Sequence, residues 1–132
     1  MSAGAVEPPR VLYVEDDPDY REAVGAMLES GGFRMEGASS AEEGLRSFRA
    51  DPPDAVLVDM MMEEVDAGAN LVRELRATGA DVPIYLLSSL GDALADTRDW
   101  SDLGVAGVLQ KPVRRDTLLT LLRARLDEAP AD

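Results

Sequence analysis

The sequence contains no cysteine and no histidine. Without cysteine there is no disulfide, no thiolate nucleophile and no zinc–sulfur site. Without histidine there is no imidazole acid–base pair and no Ser-His-Asp triad. Lysine is almost missing too: Lys111 is the only one, and the rest of the 13 cationic side chains are arginines. Any chemistry must run on carboxylates, hydroxyls, one amine or a bound hard cation. No apolar run approaches the roughly 18 residues of a membrane-spanning helix, and residues 1–9 hold no apolar segment of signal-peptide length. A cytoplasmic protein is expected. A net charge of −13 disfavours direct contact with nucleic acid or an anionic membrane.

What is present is an ordinary globular composition, 45% hydrophobic and 30% charged over 132 residues, sufficient for one domain with a real core. Residues 1–9 are small and proline-containing and read as a flexible tail. Residues 10–127 form the expected domain, and residues 128–132 a second tail.

Short apolar runs alternate with amphipathic ones along this domain. Val11-Leu12-Tyr13-Val14 reads as a strand buried on both faces and ends in Glu15-Asp16-Asp17. Asp17 before Pro18 fits a helix N-cap followed by proline at the first helical position. Tyr20, Val24, Met27 and Leu28 share one helical face, and Gly31-Gly32 closes that helix. Residues 33–37 are a weak strand, and Ser39 or Ser40 caps a helix carrying Ala41, Gly44, Leu45 and Phe48. Ala55-Val56-Leu57-Val58 is a third strand and ends at Asp59. Residues 67–77 are helical, with Leu71, Val72 and Leu75 inward and Gly79 as the stop. Ile84-Tyr85-Leu86-Leu87 is a fourth strand and ends at Ser88-Ser89. Residues 91–101 form a poor, Asp-rich helix, and residues 106–110 a fifth strand before Lys111-Pro112. Residues 113–127 form a strong helix with Leu118, Leu121, Leu122 and Leu126 inward. Five strands alternating with five helices imply a doubly wound α/β domain with a parallel sheet.

In such a sheet all strand C-termini lie on one edge, where ligands bind. Glu15, Asp16, Asp59, Ser88 and Lys111 therefore converge. A lone acid at a strand end is ordinarily a loop residue, and a lone lysine a surface one; convergence changes that reading. Carboxylates about 4 Å apart repel by roughly 4 kcal/mol per pair at an effective dielectric near 20. Such a cluster requires a cation or a shared proton. Oxygen ligands select a hard ion, and partial hydration favours Mg²⁺. A metal, an amine and a hydroxyl around one carboxylate suit a phosphoryl group, with the carboxylate as nucleophile. The use of lysine where every other cation is arginine fits a requirement for a compact point charge at position 111.

The motifs Val14-Glu15-Asp16-Asp17, Val58-Asp59-Met60-Met61, Leu87-Ser88-Ser89 and Gln110-Lys111-Pro112 resemble the receiver domain of bacterial two-component response regulators, over residues 10–127. The resemblance implies a flavodoxin-like strand order 2-1-3-4-5. It implies Asp59 as phosphoacceptor, Lys111 as phosphate contact and Ser88 as switch hydroxyl. It further implies Mg²⁺ (or Mn²⁺) held by Asp16, Asp59, the Met61 carbonyl and, through water, Glu15, and a cis Lys111–Pro112 bond. The donor would be a histidine kinase or a phosphotransfer protein, and the output a separate partner protein. The chain departs from the family pattern at Glu63, where proline is usual, in a loop one residue longer before Gly68, at Val108, where an aromatic is usual, and in the polar segment holding Trp100.

The function expected is thus a stand-alone, phosphorylation-dependent signalling receiver. It is not an enzyme in the turnover sense, since Asp59 is both nucleophile and product. Bulky Met61 and Leu90 flanking the phosphorus would make the phosphorylated form long-lived. The alternative is a phosphate-independent pseudo-receiver that only binds partners. A metal-dependent phosphatase with an aspartyl nucleophile would carry a second Asp where this chain has Met61. The charges also permit a homodimer through the last strand and its flanking helices, with Asp92, Asp96, Asp99 and Asp102 facing Arg114, Arg115, Arg123 and Arg125.

Overall fold

The computed structural model describes residues 8–60, 67–89 and 104–127. Five strands, β1 (Arg10–Val14), β2 (Arg34–Ala38), β3 (Ala55–Asp59), β4 (Ile84–Ser88) and β5 (Gly107–Gln110), form one parallel sheet in the order β2-β1-β3-β4-β5. The expected doubly wound architecture and strand order are observed. Four helices lie among the described residues: α1 (Pro18–Ser30), α2 (Ala41–Ala50), α3 (Ala67–Ala77) and α4 (Arg115–Asp127). The helix expected over residues 91–101 lies outside the described residues, as do both expected tails apart from residues 8 and 9.

The all-apolar strands are explained by two cores, one on each face. Val11 and Tyr13 of β1, with Leu57, Tyr85, Leu87 and Leu109, pack beneath α1 and α4. Leu12 and Val14, with Val56, Val58, Ile84 and Leu86, pack beneath α2 and α3. Alternate residues of β1, β3 and β4 thus enter different cores, and no polar side is left for water. β2 is an edge strand, and its exposed pattern accounts for its weak apolar signal.

The helix ends follow local chemistry. Asp17 caps α1 by accepting from the backbone N–H groups of Asp19 and Tyr20, with proline in the first turn. Ser40 caps α2 by accepting from the Glu43 N–H, and Glu43 reaches back to the Ser39 N–H and hydroxyl. Gly32 (φ 92°) and Gly79 (φ 89°) take the left-handed conformation that ends α1 and α3. The Lys111–Pro112 peptide is cis, as the family resemblance implies.

One core expectation is corrected. Leu118 and Leu122 are buried, but Leu121 is 38% exposed, and Leu119, not singled out in the sequence, takes the inward place. Leu119 is held against the end of α1, where a side chain at Gly31 would come within 2.5 Å of it. Arg115 and Arg123 also turn to that end, donating to the Ser30 hydroxyl and the Gly31 carbonyl. Two of the four arginines expected at a dimer surface therefore have partners within the chain.

α3 begins unusually close to the end of β3. A Cβ at Gly68 would lie 2.5 Å from the Asp59 carbonyl oxygen and 2.9 Å from the Met60 Cα, and both are backbone atoms that cannot swing aside. Gly68→Ala is expected to destabilise the domain by about 1–3 kcal/mol, the usual cost of overpacking, read as a lower urea midpoint. A second outcome follows from α2. The Ser39 backbone N–H and hydroxyl hold the Glu43 carboxylate below its usual range. A depressed folded-state pKa gives stability that is present at neutral pH and lost as pH falls through the carboxylate range. In urea titrations at several pH values, Glu43→Gln should lower stability at neutral pH and show a smaller loss on acidification than wild type.

Candidate functional site

The strand register sets the site. Asp59 pairs with Leu87 across β3 and β4, and Ser88 pairs with Gln110 across β4 and β5. Backbone bonds continue this alignment past the strand ends: Glu15 N–H to Ala38 carbonyl (2.9 Å), Met60 to Leu87 (2.8 Å) and Lys111 to Ser88 (2.7 Å). They fix the Cα positions from which the polar side chains project, so the polar edge forms as one unit.

At its centre, Asp59 and Glu15 are buried, at 2% and 1% exposure. The Lys111 Nζ lies 3.1 Å from Asp59 Oδ1 and 3.1 Å from Glu15 Oε1, bridging the two carboxylates. Asp16, half-buried, completes the acidic cluster: one carboxylate oxygen from each of Glu15, Asp16 and Asp59 lies within 4.8 Å of the others. Ser88 is fully buried, and its hydroxyl has no hydrogen-bond partner among the described residues. A buried hydroxyl without a partner is costly, so a group that can bond to it would stabilise the site. The structure thus brings together Glu15, Asp16, Asp59 and Lys111, and places Ser88 at the end of the neighbouring strand β4. Met61 and Leu90 lie outside the described residues, as do Glu63, Trp100 and the acidic residues Asp92, Asp96, Asp99 and Asp102. Val108, in place of the usual aromatic, is half-buried against the core under α2 and α3.

The electrostatics are those of crowded acids. Burial, together with a hydrogen bond and repulsion from Glu15, pushes Asp59 up to about 7 against the opposing pull of Lys111. Burial also works to raise Glu15, but hydrogen bonds from Asp59, Tyr13 and Lys111 bring it below its usual range. The two acids are thus pushed in opposite directions, Asp59 up and Glu15 down. Lys111 is disfavoured as an ion by burial but raised overall by Asp59 and Glu15. An aspartate in this state is relieved by a divalent cation, and the all-oxygen donor set fits a hard one such as Mg²⁺.

Two functional neighbours escaped the sequence reading. Tyr13, fully buried, donates its phenol hydrogen to Glu15 Oε1 at 2.8 Å. Tyr20 accepts from the Val113 N–H at 3.1 Å, and the Lys111 ammonium lies 4.5 Å from its ring centroid. The signal was present: a tyrosine in an otherwise aliphatic strand brings a hydroxyl that needs a partner, and Tyr13 is two residues before Glu15, the spacing that puts strand side chains on one face. Arg21 was missed as well; it donates to the Glu15 carbonyl at 2.6 Å and holds the acidic loop to α1.

A parallel five-stranded sheet of this order, with buried carboxylates and one lysine at its carboxyl edge, places the chain in the flavodoxin-like class of doubly wound α/β domains. The family model of the response regulator receiver domain matches residues 11–123, and this chain belongs to that family. It is similar to the response regulator MprA of Mycolicibacterium vanbaalenii, with 36% identity over 95% of this chain and 53% of the relative. It is 35% identical to MprA of Mycobacterium leprae over 93% of this chain and 53% of that one. The chain thus spans about half the length of the curated relatives it matches. Among solved structures, a sensor protein from Polaromonas matches with TM-score 0.81 and 30% identity, over 90% of this chain and 96% of that one. A response regulator receiver domain protein from Clostridium thermocellum matches with TM-score 0.78 and 26% identity, over 90% and 94% of the two chains.

The geometry separates the two adjacent aspartates. Asp17 is engaged in capping α1, whereas Asp16 belongs to the acidic cluster. Asp16→Asn should weaken Mg²⁺ binding by about tenfold or more in a calorimetric titration, on the scale of one lost charged ligand. Asp17→Asn should change it by less than about twofold, because asparagine caps equally well. Equal affinities for the two variants would refute this division.

Proposed function

We propose that this chain is a phosphorylation-dependent signalling receiver, in which Asp59 accepts a phosphoryl group from a phosphohistidine of a histidine kinase or phosphotransfer protein. The observation that carries this reading is Asp59 itself: buried at the end of β3, bridged by Lys111 at 3.1 Å, and crowded by Glu15 and Asp16. An Asp59 carboxylate oxygen attacks the phosphorus; the new P–O bond forms as the donor P–N bond breaks, and the electron pair leaves with the imidazole, which takes up a proton. Asp16, Asp59 and, through water, Glu15 are the described residues that would hold a divalent cation, which supplies positive charge to neutralise the carboxylates and the transferring phosphoryl oxygens. Lys111 is already placed against Asp59 and follows the charge as it moves onto a phosphoryl oxygen. The Ser88 hydroxyl, which has no partner among the described residues, bonds to another oxygen and thereby links the phosphorylated state to the backbone between β4 and β5. The Met61 carbonyl, outside the described residues, would complete the metal ligands, as the family resemblance implies. The output is a change in affinity for a separate partner protein, and a protein of this kind is cytoplasmic.

The test is the intact mass after incubation with acetyl phosphate and Mg²⁺. Wild type should gain one phosphoryl group, lost in chelator and absent from Asp59→Ala. A labelled Asp59→Ala protein would move the acceptor elsewhere. A wild-type protein that takes no label from acetyl phosphate or from phosphohistidine donors would instead favour a phosphate-independent interaction module.

A further inference from the structure

Two of the charged side chains beside Asp59, Glu15 and Lys111, are each held by a tyrosine. Glu15 Oε1 accepts from the Tyr13 phenol at 2.8 Å and from Lys111 at 3.1 Å, while its Oε2 lies 3.3 Å from the Asp17 N–H. The carboxylate is therefore fixed by both oxygens, and Tyr13, rigid within β1 and fully buried, determines its plane. Lys111 has a flexible stem and would sample many rotamers if held by charge alone. Here its ammonium lies over the Tyr20 ring, and the same tyrosine grips the chain two residues further on, through the Val113 N–H. Tyr20 thus fixes both the base and the tip of the lysine from α1.

We propose that Tyr13 and Tyr20 are positioning residues for phosphoryl transfer, Tyr13 acting through Glu15 on cation binding and Tyr20 acting through Lys111 on the transfer step. This inference rests on the receiver reading above. The two tyrosines touch different groups, so their loss should appear in different parameters. Loss of the Tyr13 phenol leaves the Glu15 carboxylate short of one of its buried donors and free to turn from the cation. Loss of the Tyr20 ring leaves the cation site intact but lets the ammonium leave its place beside Asp59, where it would meet an oxygen of the incoming phosphoryl group.

The experiment compares Tyr13→Phe, Tyr20→Phe and Tyr20→Leu with wild type. It combines calorimetric Mg²⁺ titration of the unphosphorylated proteins with the rate of Asp59 labelling by acetyl phosphate as Mg²⁺ is varied. Tyr13→Phe, which is nearly isosteric, should raise the Mg²⁺ dissociation constant by about five- to tenfold and leave the labelling rate at saturating Mg²⁺ within about twofold. The rise should vanish when Glu15→Gln is also present, which a merely structural role for Tyr13 would not predict. Tyr20→Leu should slow labelling at saturating Mg²⁺ by about tenfold with Mg²⁺ affinity unchanged, and Tyr20→Phe, which keeps the ring, should recover most of that loss. Should Tyr20→Leu fail to fold by circular dichroism, Tyr20→Met takes its place. The inference is overturned if the variants change the same parameter, if neither changes, or if Tyr13→Phe tightens Mg²⁺ binding. A wild-type protein that takes no label defeats the receiver reading and the Tyr20 half with it, while the calorimetry decides the Tyr13 half by itself.

Discussion

An ammonium shared between two buried carboxylates is the interaction around which this domain is arranged. Glu15 and Asp59 are almost wholly removed from water, and Lys111 lies 3.1 Å from each. Charges so placed are costly unless every member has its partners. The partners come from strand ends far apart in sequence, and only a parallel sheet with this order brings β1, β3 and β5 to one edge. The apolar layers on both faces serve that placement. They hold three strand ends in fixed register, so the charges meet without depending on flexible loops.

The arrangement is incomplete in a way that suits a switch. Lys111 offsets one negative charge, yet three carboxylates converge, and Asp59 is pushed up to about 7 as a result of burial and Glu15. The Ser88 hydroxyl is buried with no partner among the described residues. Both deficits would be relieved by the same event, the arrival of a divalent cation and a phosphoryl group. The resting site thus holds polar groups in readiness, and the rigid backbone bonds that flank them, such as Lys111 N–H to the Ser88 carbonyl, connect any rearrangement to β4 and β5.

Tyr13, Tyr20 and Arg21 show how the support of such a site is spread over ordinary-looking positions. Tyr13 counts as a core residue by burial, and Tyr20 as a boundary residue of α1, yet the Tyr13 hydroxyl reaches Glu15 and the Tyr20 ring faces Lys111. Arg21 looks like a surface arginine but bonds the Glu15 carbonyl. Burial on one side and a polar reach on the other is what tyrosine and arginine allow and aliphatic residues do not.

The sequence by itself determined the element order, the parallel sheet, the helix caps and the strand-end residues that meet at one edge. These rest on signals local in the chain: all-apolar runs of four, Asp17 before Pro18, glycines at helix ends. Strand-end chemistry was legible because a parallel topology converts sequence position into spatial convergence. Only the tertiary structure decided which leucine of α4 turns inward, because that depends on the end of α1 packing on Leu119 and not on helical period alone. It also decided that Tyr20 faces Lys111 and that the Ser88 hydroxyl is left without a partner among the described residues. Those facts depend on distances between side chains from different elements, and no periodicity along one chain encodes them. Gly68 belongs to the same class, since its need for a bare Cα arises from the backbone of Asp59 and Met60 lying against it after folding.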